Sequence, residues 1–220
     1  MNLTLQRYGA IAAAYQMLAY MVGFGAMLTV FAPLGGMNPA GKLGYLLEKQ
    51  AIFHAFNTVI YVLFGVALVV LAVALYQRLV PVARSLAQVA TTFALIWAGL
   101  VIAAGMVSNI GLDAAGALHA GEPAQAVALF AATGAVQEAI GGGIELVGGV
   151  WVLLVSLAGL RGRVLGRALH WLGLAVGVAG ILTIAPPLKE LGAVFGLGQI
   201  IWFGWLALLL YRQPPVTPEP

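Results

Sequence analysis

The stretch YVLFGVALVVLAVALYQRLVPVARSLAQVATTFALIWAGLVIAAG, residues 61–105, decides the fold. Its only charges are Arg78 and Arg84, which flank Pro81 in a short turn between two apolar runs. Each run has the length, about 20 residues, that crosses a bilayer core of about 30 Å. Working outward from it, the same pattern recurs along the chain. Six segments qualify, at 9–33, 52–76, 86–108, 138–160, 168–186 and 193–211. We expect an all-α polytopic membrane protein: one bundle of six transmembrane helices over 1–212. The tail 213–220, with Pro214, Pro215, Pro218 and Pro220, is expected to be extended and disordered.

Composition agrees. Hydrophobic residues fill 62% of the 220 positions and charged residues 8%, which leaves too little polar surface for a water-soluble domain. The lipid bilayer is therefore the expected surrounding. The net charge of +3 is small, and its arginines border apolar runs instead of forming a patch with exposed aromatics, so nucleic acid is not an expected partner. With no cysteine, disulfides, thiolate metal sites and Cys nucleophiles are excluded. The first run follows Arg7, exceeds twenty residues and lacks a small-x-small cleavage pattern, so it is expected to stay as a signal anchor.

Orientation follows from the connections. Arg7, Arg78, Arg84, Arg161, Arg163, Arg167 and Arg212 fall on one side; Lys42, Lys49 and Lys189 fall on the other. Both termini are thus expected in the cytoplasm, and the location in the bacterial cytoplasmic membrane. Pro33 to Lys49 is rich in Gly and Pro and suits an ordered turn or re-entrant cap. Pro123, after Gly121 and Glu122, sits where a helix begins, and Ala124 to Val136 is expected to run helically along the interface into the fourth span. Gly141, Gly142 and Gly143 are placed to kink it.

The candidate site is an acidic helix face. Glu138 and Glu145 are seven residues apart, and Gly142, Gly149 and Ser156 fall near the same stripe, where small side chains let another helix approach. At 1.5 Å per residue, Glu145 lies about 24 Å from the Arg161 end. No Lys or Arg lies within a span at that depth, and a carboxylate there needs a partner or a proton. Either Glu145 is a neutral acid bonded to a neighbouring helix, or it belongs to an ion, proton or ligand site. His54, Asn57, Thr58 and Tyr61 share a face of the second helix, and Gln199 enters from the outer end of the sixth. An outward-facing polar vestibule lined by the second, fourth and sixth helices would use Glu145, Glu138, His54, Asn57, Tyr61 and Gln199. Taken singly, His54 also suits an interfacial position and Asn57 helix–helix bonding.

Cofactors are not expected. Carboxylates seven residues apart are about 10 Å apart along a helix axis and share one metal ion poorly. His54 and His170 lie near opposite membrane edges and cannot ligate one haem iron. No GxSxG, HExxH or GxxxxGK motif is present, so no catalytic residue is assigned. Trp202 and Trp205 suit core packing, and Tyr211 an interfacial anchor.

Three places carry a family resemblance: Arg7-Tyr8-Gly9-Ala10 opening the first helix, Arg167-Ala168-Leu169-His170-Trp171-Leu172-Gly173, and Gly198-Gln199 followed by Trp202 and Trp205-Leu206. With these the chain resembles a bacterial six-span membrane family catalogued as domain of unknown function 4386. The resemblance implies the six-helix fold and brings no established activity. In that family the position of Gln199 often carries an acid, where an amide stands here.

Three functions follow as expectations. The first is binding or translocation of a small ligand or proton, with Glu145 as the deep ionisable group. The second is a structural or accessory subunit of a larger membrane complex, whose partners would be other membrane subunits or copies of itself. The third is an intramembrane enzyme acting on lipid through Glu138 or His54, although no nucleophile is placed beside them.

Overall fold

A computed structural model describes residues 3–213, and the Pro-rich tail from Pro214 onward lies outside the described residues. Among the described residues the fold is all helical. The long helices are α1 (Leu3–Leu28), α4 (Phe64–His119), α6 (Leu146–Gly162), α7 (Arg167–Leu182) and α8 (Leu191–Arg212). Shorter ones are α2 (Pro39–Glu48), α3 (Gln50–Asn57) and α5 (Pro123–Gln137). Four continuous helical stretches are long and apolar enough to cross a membrane: Leu5–Leu28, Gln50–His119, Pro123–Gly162 and Leu191–Arg212; Arg167–Leu182 is a shorter apolar helix.

The longest stretch is not straight. Pro81 lacks the N–H that would continue the ladder, and Ala83 leaves helical geometry (φ −155°, ψ 58°), so the chain folds back there. The contacts between the two arms confirm a hairpin. Asn57 Nδ2 donates to Ser108 Oγ at 3.1 Å and Asn109 Oδ1 at 2.9 Å, Gln50 Nε2 donates to Asp113 Oδ1 at 2.7 Å, and Gly65 packs on Ala98 and Ile102. Each pair lies nearly symmetrically about Ala83, as an antiparallel arrangement requires. The helical arms extend further than the runs at 52–76 and 86–108, and beyond the second run Asp113 meets Gln50 and His54 across the hairpin.

Two segments depart from α geometry in a matched way. Thr58–Leu63, between α3 and α4, and Glu138–Gly142, after α5, are π-helical. Gly141 has φ +142°, and the chain re-enters a helix only at Leu146, so the segment read as one span from 138 is a broken helix. Glycine tolerates that φ because it has no Cβ to clash. Tyr15 of α1 donates its hydroxyl to the Val59 carbonyl at 2.7 Å, and Thr183, the residue that ends α7, accepts from Glu145 N at 2.9 Å. Such neighbouring side chains supply the partners that irregular backbone needs away from water.

The main core is aromatic. Phe64, Trp97, Trp151, Phe195, Trp202 and Phe203 are all nearly or fully buried, and most of their rings meet edge to face at 5–6 Å. Such pairs contribute about 0.5–1.5 kcal/mol each beyond simple burial. A smaller core of Phe31, Leu43, Leu46, Leu112, Ala115 and Ala126 ties the end of α1, α2, the end of α4 and α5 into a cap. The segment expected as an ordered turn or re-entrant cap, Pro33 to Lys49, contributes the helix α2 to that smaller core: Asn38 Oδ1 accepts from Gly41 N at 2.8 Å, and Pro39 opens the helix.

The arginine-bearing ends gather at the opposite pole. Arg78 donates to Gln6 Oε1 at 3.2 Å and to Gln213 Oε1 at 2.9 Å, while Gln6 Nε2 donates to the Leu210 carbonyl at 2.5 Å. The end of α6 packs at Gly162 on Val82, beside the hairpin bend. One pole therefore holds Arg7, Arg78, Arg84, Arg161 and Arg212.

Candidate functional site

The helix break before α6 borders a cavity of about 210 Å³. Its walls come from four places: Tyr20, Gly23, Phe24 and Met27 of α1; Phe56, Ile60, Tyr61 and Phe64 around the first π segment; Trp97 and Val101 of α4; Gly141 and Glu145 at the second break. Aromatic rings dominate it. At roughly 30 Å³ per water, the space corresponds to about seven water molecules, enough for a small organic molecule but not a whole lipid. Met27 is 56% exposed, so the cavity reaches the molecular surface alongside the last turns of α1.

Glu145 is the polar centre of this space. It is half-buried and caps the N-terminus of α6, with the positive end of that helix dipole beside it. Its backbone is fixed on both sides: the N–H donates to Thr183, and the carbonyl accepts from Gly149 N at 2.8 Å. Among the described residues no Lys, Arg or His is paired with its carboxylate. Tyr20 and Tyr61 line the same cavity as this side chain. Tyr61 accepts a hydrogen bond from Gln137 Nε2 at 3.0 Å, which ties the first π segment to the last residue of α5, just before the second.

The six expected site residues divide among four surroundings. Glu145 and Tyr61 meet in the cavity. Glu138 does not join Glu145 on one face, because the break at Gly141 interrupts the helix between them; it forms an ion pair with Lys189. His54 faces Asp113 across the hairpin, Nε2 to Oδ1 3.0 Å, and Asn57 is 2% exposed and spent on Ser108 and Asn109. Gln199 is fully buried in α8, its amide has no hydrogen-bond partner among the described residues, and it does not line the cavity. The walls thus include α1 in place of the sixth apolar segment, and they are far less polar than a vestibule built from all six residues.

The aromatic cavity residues that the sequence does not mark are Tyr20, Phe24, Phe56, Phe64 and Trp97. An aromatic residue inside an apolar run has no local contrast that marks it as lining space. Asp113, which meets Gln50 and His54 across the hairpin, lies four residues from Asn109 on the same helical face.

The small-residue stripe of α6 is used inside the chain. A Cβ on Gly149 would stand 2.7 Å from the Gly177 carbonyl oxygen and from Ile181 N, and Gly159 and Ser156 press on His170 and Gly173 of α7. No family model matches the chain, and no curated protein or solved structure shows significant similarity to it.

Proposed function

We propose that the chain is a six-span protein of the bacterial cytoplasmic membrane, both termini cytoplasmic, that binds or translocates a small ligand or proton at Glu145. The six spans would be α1, the two arms meeting at Ala83, the broken segment ending in α6, α7 and α8. The gathering of arginines at one pole supports the orientation, since basic residues concentrate on the cytoplasmic side. The resemblance to the family of domain of unknown function 4386 is part of this proposal and rests on its three motifs.

The observation that carries the functional reading is the carboxylate of Glu145, without a cationic partner among the described residues, in a cavity bordered by two departures from α-helical geometry. Single π turns recur at functional sites, and irregular backbone at membrane depth belongs where it lines a cavity or lies inside protein. An ionisable side chain within a span is costly to keep there without use. The cavity lies toward the last turns of α1, away from the arginine pole, which supports access from the outer side.

Glu145→Gln tests this. Native mass spectrometry of gently solubilised protein should detect a small bound molecule, or pH-dependent infrared difference spectra a titrating carboxyl band, that disappears in the variant. A variant that keeps both the bound mass and the pH response overturns the reading. The accessory-subunit alternative draws no support from the α6 stripe, which α7 covers; a stoichiometric foreign subunit in the same spectrum would favour it.

A further inference from the structure

We infer that the cavity selects a small organic cation, a quaternary or protonated amine, held between the Glu145 carboxylate and the surrounding rings. This rests on the site proposed above and adds the class of ligand.

Three observations carry it. First, among the described residues the lining contains one group able to bear charge at neutral pH, and it is acidic: no described Lys, Arg or His borders the space. An anionic ligand would meet the Glu145 charge, and no described side chain of the lining carries a positive charge to offset the repulsion. Second, six aromatic residues, Tyr20, Phe24, Phe56, Tyr61, Phe64 and Trp97, line the same space. Tyr20 and Trp97 flank Phe64 edge to face, each with centroids 5.6 Å from it, so this wall is rigid. Aromatic faces attract ammonium groups through their quadrupole, and more strongly where water is excluded. Third, the polar complement is sparse. Besides the carboxylate, the side chains of the lining offer the Tyr20 and Tyr61 hydroxyls and the Trp97 indole N–H. A sugar or amino acid, rich in hydroxyl or carboxylate groups, would leave several hydrogen bonds unmade on burial, at considerable cost. A quaternary ammonium has none to lose.

The volume of about 210 Å³ and the opening beside Met27 admit either a free amine or the headgroup of a choline lipid reaching in from the bilayer. Both present the same chemistry.

The test uses benzyltrimethylammonium and 2-phenylethanol, a cation and a neutral molecule of similar size, titrated by calorimetry into the full chain in phosphatidylglycerol nanodiscs. A third protein, Gly23→Phe, fills the cavity: nothing lies within 4 Å of a Cβ at Gly23, so the ring enters without a backbone clash. We expect the cation to bind at least about tenfold more tightly than the alcohol. Glu145→Gln should lose that preference, and Gly23→Phe should lose binding of both. If both probes bind equally and Gly23→Phe abolishes both, the cavity reading stands and cation selection is overturned. If neither probe binds the parent protein, the cavity reading falls along with the cation. Where the cation binds, adding phosphatidylcholine to the discs identifies the source. Displacement of the probe assigns the site to a lipid headgroup, and no displacement assigns it to a free amine.

Discussion

Where α6 meets α7, glycine removes space; a few residues away, at the cavity, glycine leaves it. At the seam, Gly149 faces Gly177 and Gly180 so closely that a methyl group on Gly149 would stand 2.7 Å from backbone atoms. At the cavity wall, Gly23 has no atom within 4 Å of where its Cβ would be, and Gly141 holds a φ that L residues rarely adopt. The two regions share one helix start, Leu146, yet one is shut and the other open. Lipid tails are as apolar as the helices, so a membrane bundle gains its cohesion from close packing. A space left unfilled beside an aromatic core forgoes those contacts, and the protein keeps it together with an acid.

Substitutions can break this contrast. The largest effect is expected at the seam. Gly149→Leu places a branched side chain against the backbone of α7, and the folded protein should be lost, read as the absence of a monodisperse peak after solubilisation. Gly149→Ala should destabilise by about 1–3 kcal/mol, because the atoms it meets cannot rotate away. Gly141→Ala comes next. Forcing an L residue to φ +142° costs about 1–3 kcal/mol, measurable as a lower unfolding temperature followed by tryptophan fluorescence. A change confined to unfolding temperature at Gly149→Ala, with an added loss of ligand binding at Gly141→Ala, would sharpen the distinction between seam and site. Gly23→Ala should go the other way. With open space around it and Ala the better helix former, stability should be unchanged or rise by up to about 1 kcal/mol; a large loss there would show the cavity to be tighter than described. The smallest effect is expected from Glu138→Gln. Its ion pair with Lys189 is about half exposed, and such pairs contribute about 0–1 kcal/mol. If Glu138→Gln matched Glu145→Gln in its effect on ligand binding, the separation of the two acids would be wrong.

Much of this was legible before any coordinates. Pro123 opening α5, the break at Gly141, and the turn at Arg78-Pro81-Arg84 are each set by local backbone chemistry. The hairpin partners were partly legible: the polar face that carries Asn57 can be read from the sequence, but its hydrogen bond to Asn109 needs the register of two arms that only the bend at Ala83 fixes. The heptad relation of Glu138 and Glu145 failed because it assumed an unbroken helix. The π segment Thr58–Leu63 had no signal, since its residues are ordinary helix and strand formers.

The apolar runs and the separation of arginine from lysine belong to the chain itself, because whether a residue suits lipid or water is decided one side chain at a time. The tertiary structure decided which acid lies open to a cavity and which is paired, and that six scattered aromatic residues enclose one space. Those facts depend on which helix lies beside which, and no single run of this sequence records its neighbours.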